Sequence, residues 1–218
     1  KNLWSAYPFL AYLRNSIFVV SAATFFSVSI STFAGYGISR FKFRGRGFYM
    51  SFLLATQLFP SIMLLIPYYK IFKTLNLIDS LYGLIVAYVS FTIPFCTWMM
   101  RGYFAGISKD LDQAAAIDGA NPRQIFRKIT LPLLLQILSP LLIASFAFNF
   151  NNFNLIFLLT GGGPRNELDG EIAGATDILI SYTYKIAFGS GTQDLGLASA
   201  ISLIIFILVA SISLYSLR

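Results

Sequence analysis

Long apolar segments almost free of charge constrain the fold of this chain more than any other feature. A membrane-spanning helix needs about 20 consecutive, mainly apolar residues. Five segments meet or approach that length: 16–38, 48–72, 81–100, 131–159 and 195–217. Only 11% of the 218 residues are charged, whereas a soluble domain carries about 25%. The sequence therefore predicts an all-α transmembrane fold, a polytopic bundle of about five spans whose apolar surface faces the lipid bilayer.

Prolines interrupt three of the five segments. Pro60 and Pro67 lie in the second, Pro94 lies in the third, and Pro132 and Pro140 lie near the start of the fourth. Membrane helices tolerate proline because neighbouring groups satisfy the freed carbonyls, and kinked helices in transporters lie near the transport pathway. No repeat or soluble-domain boundary is visible, so residues 1–218 are interpreted as one transmembrane domain. The N-terminus has no signal-peptide pattern and is expected to continue from an earlier part of a longer chain.

The charged residues predict the orientation in the membrane. If the basic stretch 40–47 is cytoplasmic, the loop 101–130 and the C-terminus share its side, which then carries ten basic and three acidic residues. The other side carries six of each. The positive-inside rule favours this arrangement, with the loop at about 161–194 extracytoplasmic. The net charge of +7 is thereby explained by topology, and no nucleic-acid partner is predicted.

Composition argues against catalysis and against metal or cofactor binding. The chain has no histidine and a single cysteine, Cys96, too few ligands for zinc or for Cys–His catalysis. No phosphate-binding loop with the Gly-Lys-Ser/Thr ending is present. The acids of the last loop match no calcium-loop spacing and are expected to form a solvated surface that contacts a binding protein: Glu167, Asp169, Glu171 and Asp177. The turn at 161–164 (GGGP) is expected to be a flexible connection.

The polar stretch 109–132 predicts two short helices joined by a turn. Ser108 can cap the first helix and Gly119 can end it. Asn121 can cap the second, with Pro122 at its first position. This amphipathic pair is either an ordered cytoplasmic element or an interfacial pair lying on lipid headgroups, and local chemistry leaves both open.

Residues 114–120 (AAAIDGA), followed by Phe126, Ile129, Leu131 and Pro132, resemble the cytoplasmic signature of the permease subunits of binding-protein-dependent ABC importers. In that family this loop, here about 101–131, docks in a cleft of the ATPase subunit. The resemblance implies that the ATPase contacts come from Gln113, Ala114, Ala115, Asp118, Gly119 and Ala120. The family usually has Glu where this chain has Gln113, so a contact that depends on that charge is not carried over.

The resemblance covers essentially the whole chain and implies the assembly. Residues 36–45 are similar to one type of sugar permease subunit, and residues 143–164 and 182–197 are similar to the partner subunit of maltose and maltodextrin importers. The implied partners are a second permease subunit in a heterodimer, two ATP-binding cassette subunits and an extracytoplasmic sugar-binding protein. The implied location is a bacterial or archaeal cytoplasmic membrane, and ATP hydrolysis is left to the separate subunit.

Polar residues within the fourth span suggest a substrate site. Ser145, Asn149 and Asn152 are spaced i, i+4 and i+7, which places them on one face of a continuous helix. Amides and interleaved phenylalanines suit a sugar, but hydrogen bonds between helices, worth roughly 0.6 kcal/mol each, explain them equally well. The resemblance favours the sugar site, with contacts from Ser145, Phe148, Asn149, Asn152, Phe95 and Tyr88. The identity of the sugar stays open.

Ion-coupled secondary carriers and channels form the alternative class. They require ionisable residues inside the spans, and segments 16–38, 81–100 and 131–159 contain none. The sequence therefore favours an ATP-driven sugar importer.

Overall fold

The computed structural model describes residues 9–164, 172–189 and 193–216, which form helices and connections without strands. The all-α prediction is confirmed. The helices are α1 (Phe9–Arg40), α2 (Arg46–Leu58), α3 (Ser61–Thr74), α4 (Leu81–Gly106), α5 (Lys109–Ile117), α6 (Pro122–Ile125), α7 (Leu131–Phe150), α8 (Phe153–Leu159), α9 (Leu179–Phe188) and α10 (Leu195–Ser216). A π-helical turn, Phe126–Thr130, joins α6 to α7 without a break.

Three helices, α1, α4 and α10, are long and apolar enough to cross a membrane, and two bent pairs bring the number to five. The second predicted span is not one helix, because α2 and α3 meet at 98°. Phe59 precedes Pro60 and has extended backbone (φ −77°, ψ 129°), the conformation that a following proline favours. The fourth span also bends, by 59°, between Gln136 and Leu138. Pro67 and Pro94, by contrast, lie inside continuous helices.

The tight packing of α1 against α4 forms the centre of the molecule. A Cβ atom on Gly35 would lie only 2.5 Å from the Cβ of Met100, so the two backbones approach at a point where only glycine fits. Thr97 donates to Ser31 Oγ at 3.2 Å, and Ser31 donates to the carbonyl of Ile93 at 3.3 Å. Small residues and hydroxyl hydrogen bonds are the usual means of close helix packing in membranes.

The two ends of α1 hold two different connections. Near its N-terminal end, Asn15 Nδ2 donates to the carbonyls of Ala175 (3.1 Å) and Asp177 (3.2 Å). At its C-terminal end, Arg40 Nη1 donates to the carbonyl of Ile107 at 3.2 Å. The segment before α9 and the segment before α5 therefore lie at opposite ends of this helix.

Asp177 and Lys185 form a buried ion pair, with side-chain exposures of 0% and 7%. The carboxylate of Asp177 also accepts from Gly174 N (2.7 Å) and Ser181 Oγ (2.8 Å), and Lys185 Nζ also donates to the carbonyl of Gly161 (2.8 Å). The expectation of a solvated acid is wrong for Asp177, because its charge neutralises a buried ammonium. The other three acids of this loop lie outside the described residues.

The glycine turn before this segment is packed rather than loose. Gly162 has a φ of +83°, and a Cβ atom there would lie 2.2 Å from Asp177 Oδ2 and 2.3 Å from Lys185 Nζ. Any side chain would therefore collide with the ion pair. The expectation of a flexible connection is wrong at this position, since the turn forms one wall of the ion-pair site.

Replacing Asp177 by Asn should strongly destabilise the protein, because it leaves the Lys185 charge buried without its carboxylate. Breaking such a pair from one side costs about 3–5 kcal/mol, so the midpoint of heat denaturation in detergent should fall. Asp194→Asn is the matched control, because Asp194 is exposed and its side chain accepts a capping bond from Leu197 N at 2.9 Å, which Asn preserves. Equal midpoints for the two variants would contradict a structural role for the pair.

Candidate functional site

A pocket of about 250 Å³ opens between α4 and α7. Its lining combines two aromatic rings with two hydroxyl groups and a methyl group: Phe95, Phe148, Thr92, Ser145 and Ala144. Three of the six predicted substrate residues, Phe95, Ser145 and Phe148, thus come together around one space. Both rings are accessible, with exposed fractions of 46% and 66%, so a planar or ring-shaped ligand could stack on them.

Asn149 follows the lining residue Phe148 in sequence but is not part of the pocket lining, and it has no solvent exposure. Its Oδ1 is 3.5 Å from Thr92 Oγ1, but that hydroxyl lies closer to the carbonyl of Tyr88, at 2.7 Å. The Thr92 hydroxyl therefore donates its single proton mainly to the Tyr88 carbonyl and not to Asn149. The Nδ2 group of Asn149 has no hydrogen-bond partner among the described residues. A buried unpaired donor costs about 1–3 kcal/mol, so this amide is available to a ligand or another partner.

Asn152 departs from the stripe expected of one continuous helix. Helix α7 ends at Phe150, and Asn152 is the N-cap of α8, where its Oδ1 accepts from Leu155 N at 3.4 Å. Asparagine favours helix caps over helix interiors because its side chain bonds to nearby backbone. The prediction that Asn152 continues the face of Ser145 and Asn149 is wrong.

Tyr88 supports this helix break instead of lining the pocket. Its ring is 1% exposed, and its hydroxyl donates to the carbonyl of Asn152 at 2.9 Å. That carbonyl belongs to the N-cap of α8, directly after the break between α7 and α8. The Tyr88 side chain thus bonds to Asn152, and neither residue is part of the pocket lining.

The sequence analysis missed two pocket residues, Ala144 and the polar residue Thr92. Thr92 lies one turn after Tyr88 on α4, and Cys96 follows one turn later with its Sγ 3.6 Å from Ser145 Oγ. The i, i+4, i+8 spacing of these three polar or polarisable side chains is the signal that could have identified the α4 face opposite Ser145.

The segment between α4 and α7 has the helix pair that the sequence predicts. Ser108 accepts from Asp110 N at 3.1 Å and caps α5. Gly119 has a φ of +84° and ends this helix through two bonds: Gly119 N to the carbonyl of Ala116 (3.1 Å) and Ala120 N to that of Ala115 (2.9 Å). This is a Schellman motif.

A reciprocal capping box opens α6. Asn121 N donates to Gln124 Oε1, and Gln124 N donates to Asn121 Oδ1, both at 2.9 Å. The N–H groups of Asn121 and Gln124, which have no partner within the helix, are thus both hydrogen-bonded within a stretch of four residues. The turn between α5 and α6 is thus set by local bonds, which makes it a rigid corner.

The tip of this corner is exposed. Gln113, Ala114, Asp118 and Gly119 are exposed, and Ala115 and Ala120 are half-buried. Ile117, which the sequence analysis did not select, is 87% exposed. Its side chain is therefore accessible to a partner, and its place within AAAIDGA is the signal that could have identified it.

Arg40 and Asp112 anchor the corner to α1. Arg40 Nε lies 3.1 Å from Asp112 Oδ2, and the exposed fractions of these side chains are 7% and 20%. Tyr36, one turn earlier on α1, packs its ring against Phe126 and Phe104 at centroid distances of 4.9 and 5.4 Å. A force on α5 therefore reaches the end of α1 directly.

Comparison with known families identifies the chain. The family described as "Binding-protein-dependent transport system inner membrane component" matches residues 5–218. The chain belongs to this family. The multi-pass, inner-membrane interpretation is thereby supported, and a location in an archaeal membrane has no support.

Curated relatives are maltose/maltodextrin transport system permease proteins MalF. The protein of Vibrio parahaemolyticus serotype O3:K6 is 43% identical over 198 residues, covering 80% of this chain and 37% of that protein. The protein of Escherichia coli K12 is 37% identical over 232 residues, covering 97% of this chain and 45% of that protein. The chain thus spans less than half the length of these relatives. Because the second alignment covers 97% of the chain, the N-terminal half also aligns with this subunit type.

Two solved structures share the fold. A bacterial ABC transporter involved in the import of the acidic polysaccharide alginate has a TM-score of 0.70 and 24% identity, covering 94% of this chain and 70% of that chain. The second structure is the bacterial alginate ABC transporter in complex with alginate pentasaccharide-bound periplasmic protein. Its TM-score is 0.72 and its identity is 15%, and the match covers 98% of this chain and 78% of that chain. The predicted fold, a helical bundle of the ABC importer permease type, is confirmed.

Replacing Asp112 by Asn should loosen α5, because Arg40 loses its carboxylate partner. We expect amide hydrogen exchange over Lys109–Ile117 to accelerate roughly 5- to 150-fold, which corresponds to about 1–3 kcal/mol. Asp110→Asn removes the same charge from an exposed position of the same helix and serves as the control. Similar acceleration in both variants would mean that general charge, and not the contact with Arg40, stabilises the helix.

Proposed function

We propose that this chain is the membrane-spanning permease subunit of an ATP-driven, binding-protein-dependent sugar importer. In this proposal it forms part of the translocation path and transmits movement from a separate ATPase subunit. The observation that carries it is the rigid corner at 109–125, which presents Ile117 at 87% exposure and is anchored to α1 through Asp112 and Arg40. The maltose permease relatives, aligned over up to 97% of the chain, support it.

The proposed substrate is maltose, a maltodextrin or a similar oligosaccharide. The pocket between α4 and α7 offers Phe95 and Phe148 for stacking on a sugar ring and the Ser145 hydroxyl for hydrogen bonding. The proposed donor for a sugar hydroxyl is the Nδ2 group of Asn149, which has no partner among the described residues and follows Phe148 in sequence. The names of the relatives, which concern maltose and maltodextrin transport, support the substrate class.

The proposed partners are a second permease subunit, two ATP-binding cassette subunits and an extracytoplasmic sugar-binding protein. The surface of helices α2 and α3 supports the second permease subunit as a partner. Few of their side chains are buried, and large apolar ones such as Leu58, Met63 and Ile66 are exposed. An alginate transporter with the same fold forms a complex with a periplasmic protein, which supports the extracytoplasmic sugar-binding protein as a partner. ATP hydrolysis is assigned to the cassette subunits, so the chain itself acts as a transport subunit.

Helix α1 provides a mechanical route between the ATPase contact and the pocket. Its 32 residues extend about 48 Å, and it packs along α4, which carries Thr92 and Phe95 of the pocket. Movement of α5 reaches α1 through Arg40. In this proposal the close α1–α4 contact then passes the movement to one wall of the sugar site.

Replacing Gly119 by Glu should abolish sugar transport while leaving membrane insertion intact, because a bulky charge would block the ATPase cleft. Ile117→Glu should have the same effect without the backbone strain that a side chain at φ +84° introduces. Gly47→Glu is the control, since a Cβ atom there meets no atom within 4 Å and Gly47 lies in α2, outside the loop 101–131. Wild-type transport by Ile117→Glu would mean that the helix pair rests on lipid instead of on an ATPase.

Replacing Asn149 by Ala should lower the efficiency of transport roughly 5- to 150-fold, because a sugar hydroxyl would lose a partner worth about 1–3 kcal/mol. Basal ATPase activity should persist, since the coupling corner is unchanged. Asn151→Ala is the control: Asn151 is exposed and its amide donates to the Ala147 carbonyl at 3.0 Å.

Transport of two different sugars, measured beside the melting temperature, decides the role of Asn149. A changed ratio between the sugars supports direct contact. A lower melting temperature with an unchanged ratio would show that Asn149 stabilises helix packing and does not bind sugar.

A further inference from the structure

A second open groove lies at the opposite end of α1 from Asn15, where α1 ends and α2 begins. Its volume is about 380 Å³, and its lining combines the aromatic side chains of Phe33, Phe43 and Tyr49 with Gly37 and the basic residue Arg44. The three aromatic side chains are 68%, 47% and 40% exposed. The groove is therefore an apolar channel with a cation in its lining, separate from the pocket between α4 and α7.

The loop beside the groove concentrates positive charge. Of its four basic residues, Arg40 pairs with Asp112. Lys42 and Arg44 are exposed, Arg46 is half-buried, and none of the three has an acidic partner within the described part of the chain. The loop itself contains no acid. The positive charge of this loop is thus uncompensated within the described part of the chain.

The start of α2 adds to this positive potential. The helix begins at Arg46 after Gly45 (φ +90°), without a side-chain cap and without an acidic residue in its first turn. Arg46 N donates to the Phe43 carbonyl at 3.4 Å. The next first-turn amides and the helix dipole favour an anion at this position. The groove, the basic loop and the helix start therefore all favour the same ligand charge.

The surroundings of the groove match a membrane boundary. Phe41 and Phe48 flank it and are 62% and 78% exposed, and aromatic side chains are typical of the interface between lipid and water. Basic pockets between helices on the cytoplasmic side recognise anionic lipid headgroups. An ordinary soluble anion would leave the apolar wall of Phe33 and Tyr49 uncovered.

We propose that this groove binds one anionic phospholipid of the cytoplasmic leaflet. The phosphate group lies at Lys42, Arg44 and the first turn of α2, and an acyl chain follows the aromatic wall along Phe33 and Tyr49. The proposal depends on the orientation inferred from the basic residues and is independent of the transported substrate. It identifies the basic loop as a specific lipid site and not only as a determinant of topology.

Native mass spectrometry of the full-length protein, in the complex purified from the membrane, tests the proposal with phosphatidylglycerol and phosphatidylcholine as probes. We expect phosphatidylglycerol to be retained more strongly. Lys42→Gln/Arg44→Gln should weaken its binding about 25-fold, or roughly fivefold for each cation. Lys70→Gln/Lys73→Gln, which removes two exposed cations from the end of α3, should leave it unchanged. Equal retention of the two lipids, or equal loss in both double variants, would overturn the proposal.

Gly37→Leu tests the groove without changing any charge. A Cβ atom on Gly37 meets no atom within 4 Å, so the new side chain would occupy the groove, and leucine favours the helix more than glycine does. Binding of phosphatidylglycerol should fall at least tenfold, whereas Gly102→Leu, at an equally open helical position of α4, should have no effect.

Two results of this second experiment would overturn the proposal. Unchanged lipid binding by Gly37→Leu would mean that surface charge alone holds the lipid or that a partner subunit fills the groove. Displacement of the lipid by an equal concentration of inorganic phosphate would mean that the site recognises a free anion and that the acyl chain does not contribute to binding.

Discussion

The contact between α1 and α4 is the interaction on which the rest of the structure depends. Gly35 allows the backbones to approach until a Cβ atom would lie 2.5 Å from Met100, and buried hydroxyls such as Ser31 and Thr97 bond across the interface. In a bilayer, water exclusion does not drive helices together, so such close packing and hydrogen bonding are the main sources of association. Once α4 is fixed against α1, its other face is available to form the pocket with α7.

Charged groups complete this arrangement at both ends of α1. At one end Arg40 fixes the rigid corner through Asp112. At the other, Asn15 fixes the segment whose Asp177 neutralises Lys185. Both pairs lie at the ends of long apolar helices, where the cost of burying charge is smaller than at mid-membrane. A helix held at both ends moves as a unit, which is the mechanical property that the proposed coupling requires.

Residues 108–125 were predictable in detail because their structure depends on neighbours in sequence. The Ser108 cap, the glycine stop at 119 and the Asn121–Gln124 box are each complete within a few residues. The candidate sugar site was predictable only in part. The residue types indicated α7, and the structure brings Ser145 and Phe148 to one pocket. The break that removes Asn152 from their face depends instead on local capping by Asn152 and on a hydrogen bond from Tyr88, 64 positions away.

The sequence by itself determined the membrane-spanning class, the approximate span positions, the charge asymmetry and the rigid corner, because hydropathy, charge and capping chemistry act locally. Tertiary structure alone decided that Asp177 is buried, that Gly162 packs on its ion pair, and that Thr92 faces the pocket. It also decided the 98° angle between α2 and α3, for which Pro60 predicts an interruption but no direction. These features depend on which distant groups meet, and a one-dimensional pattern does not specify that.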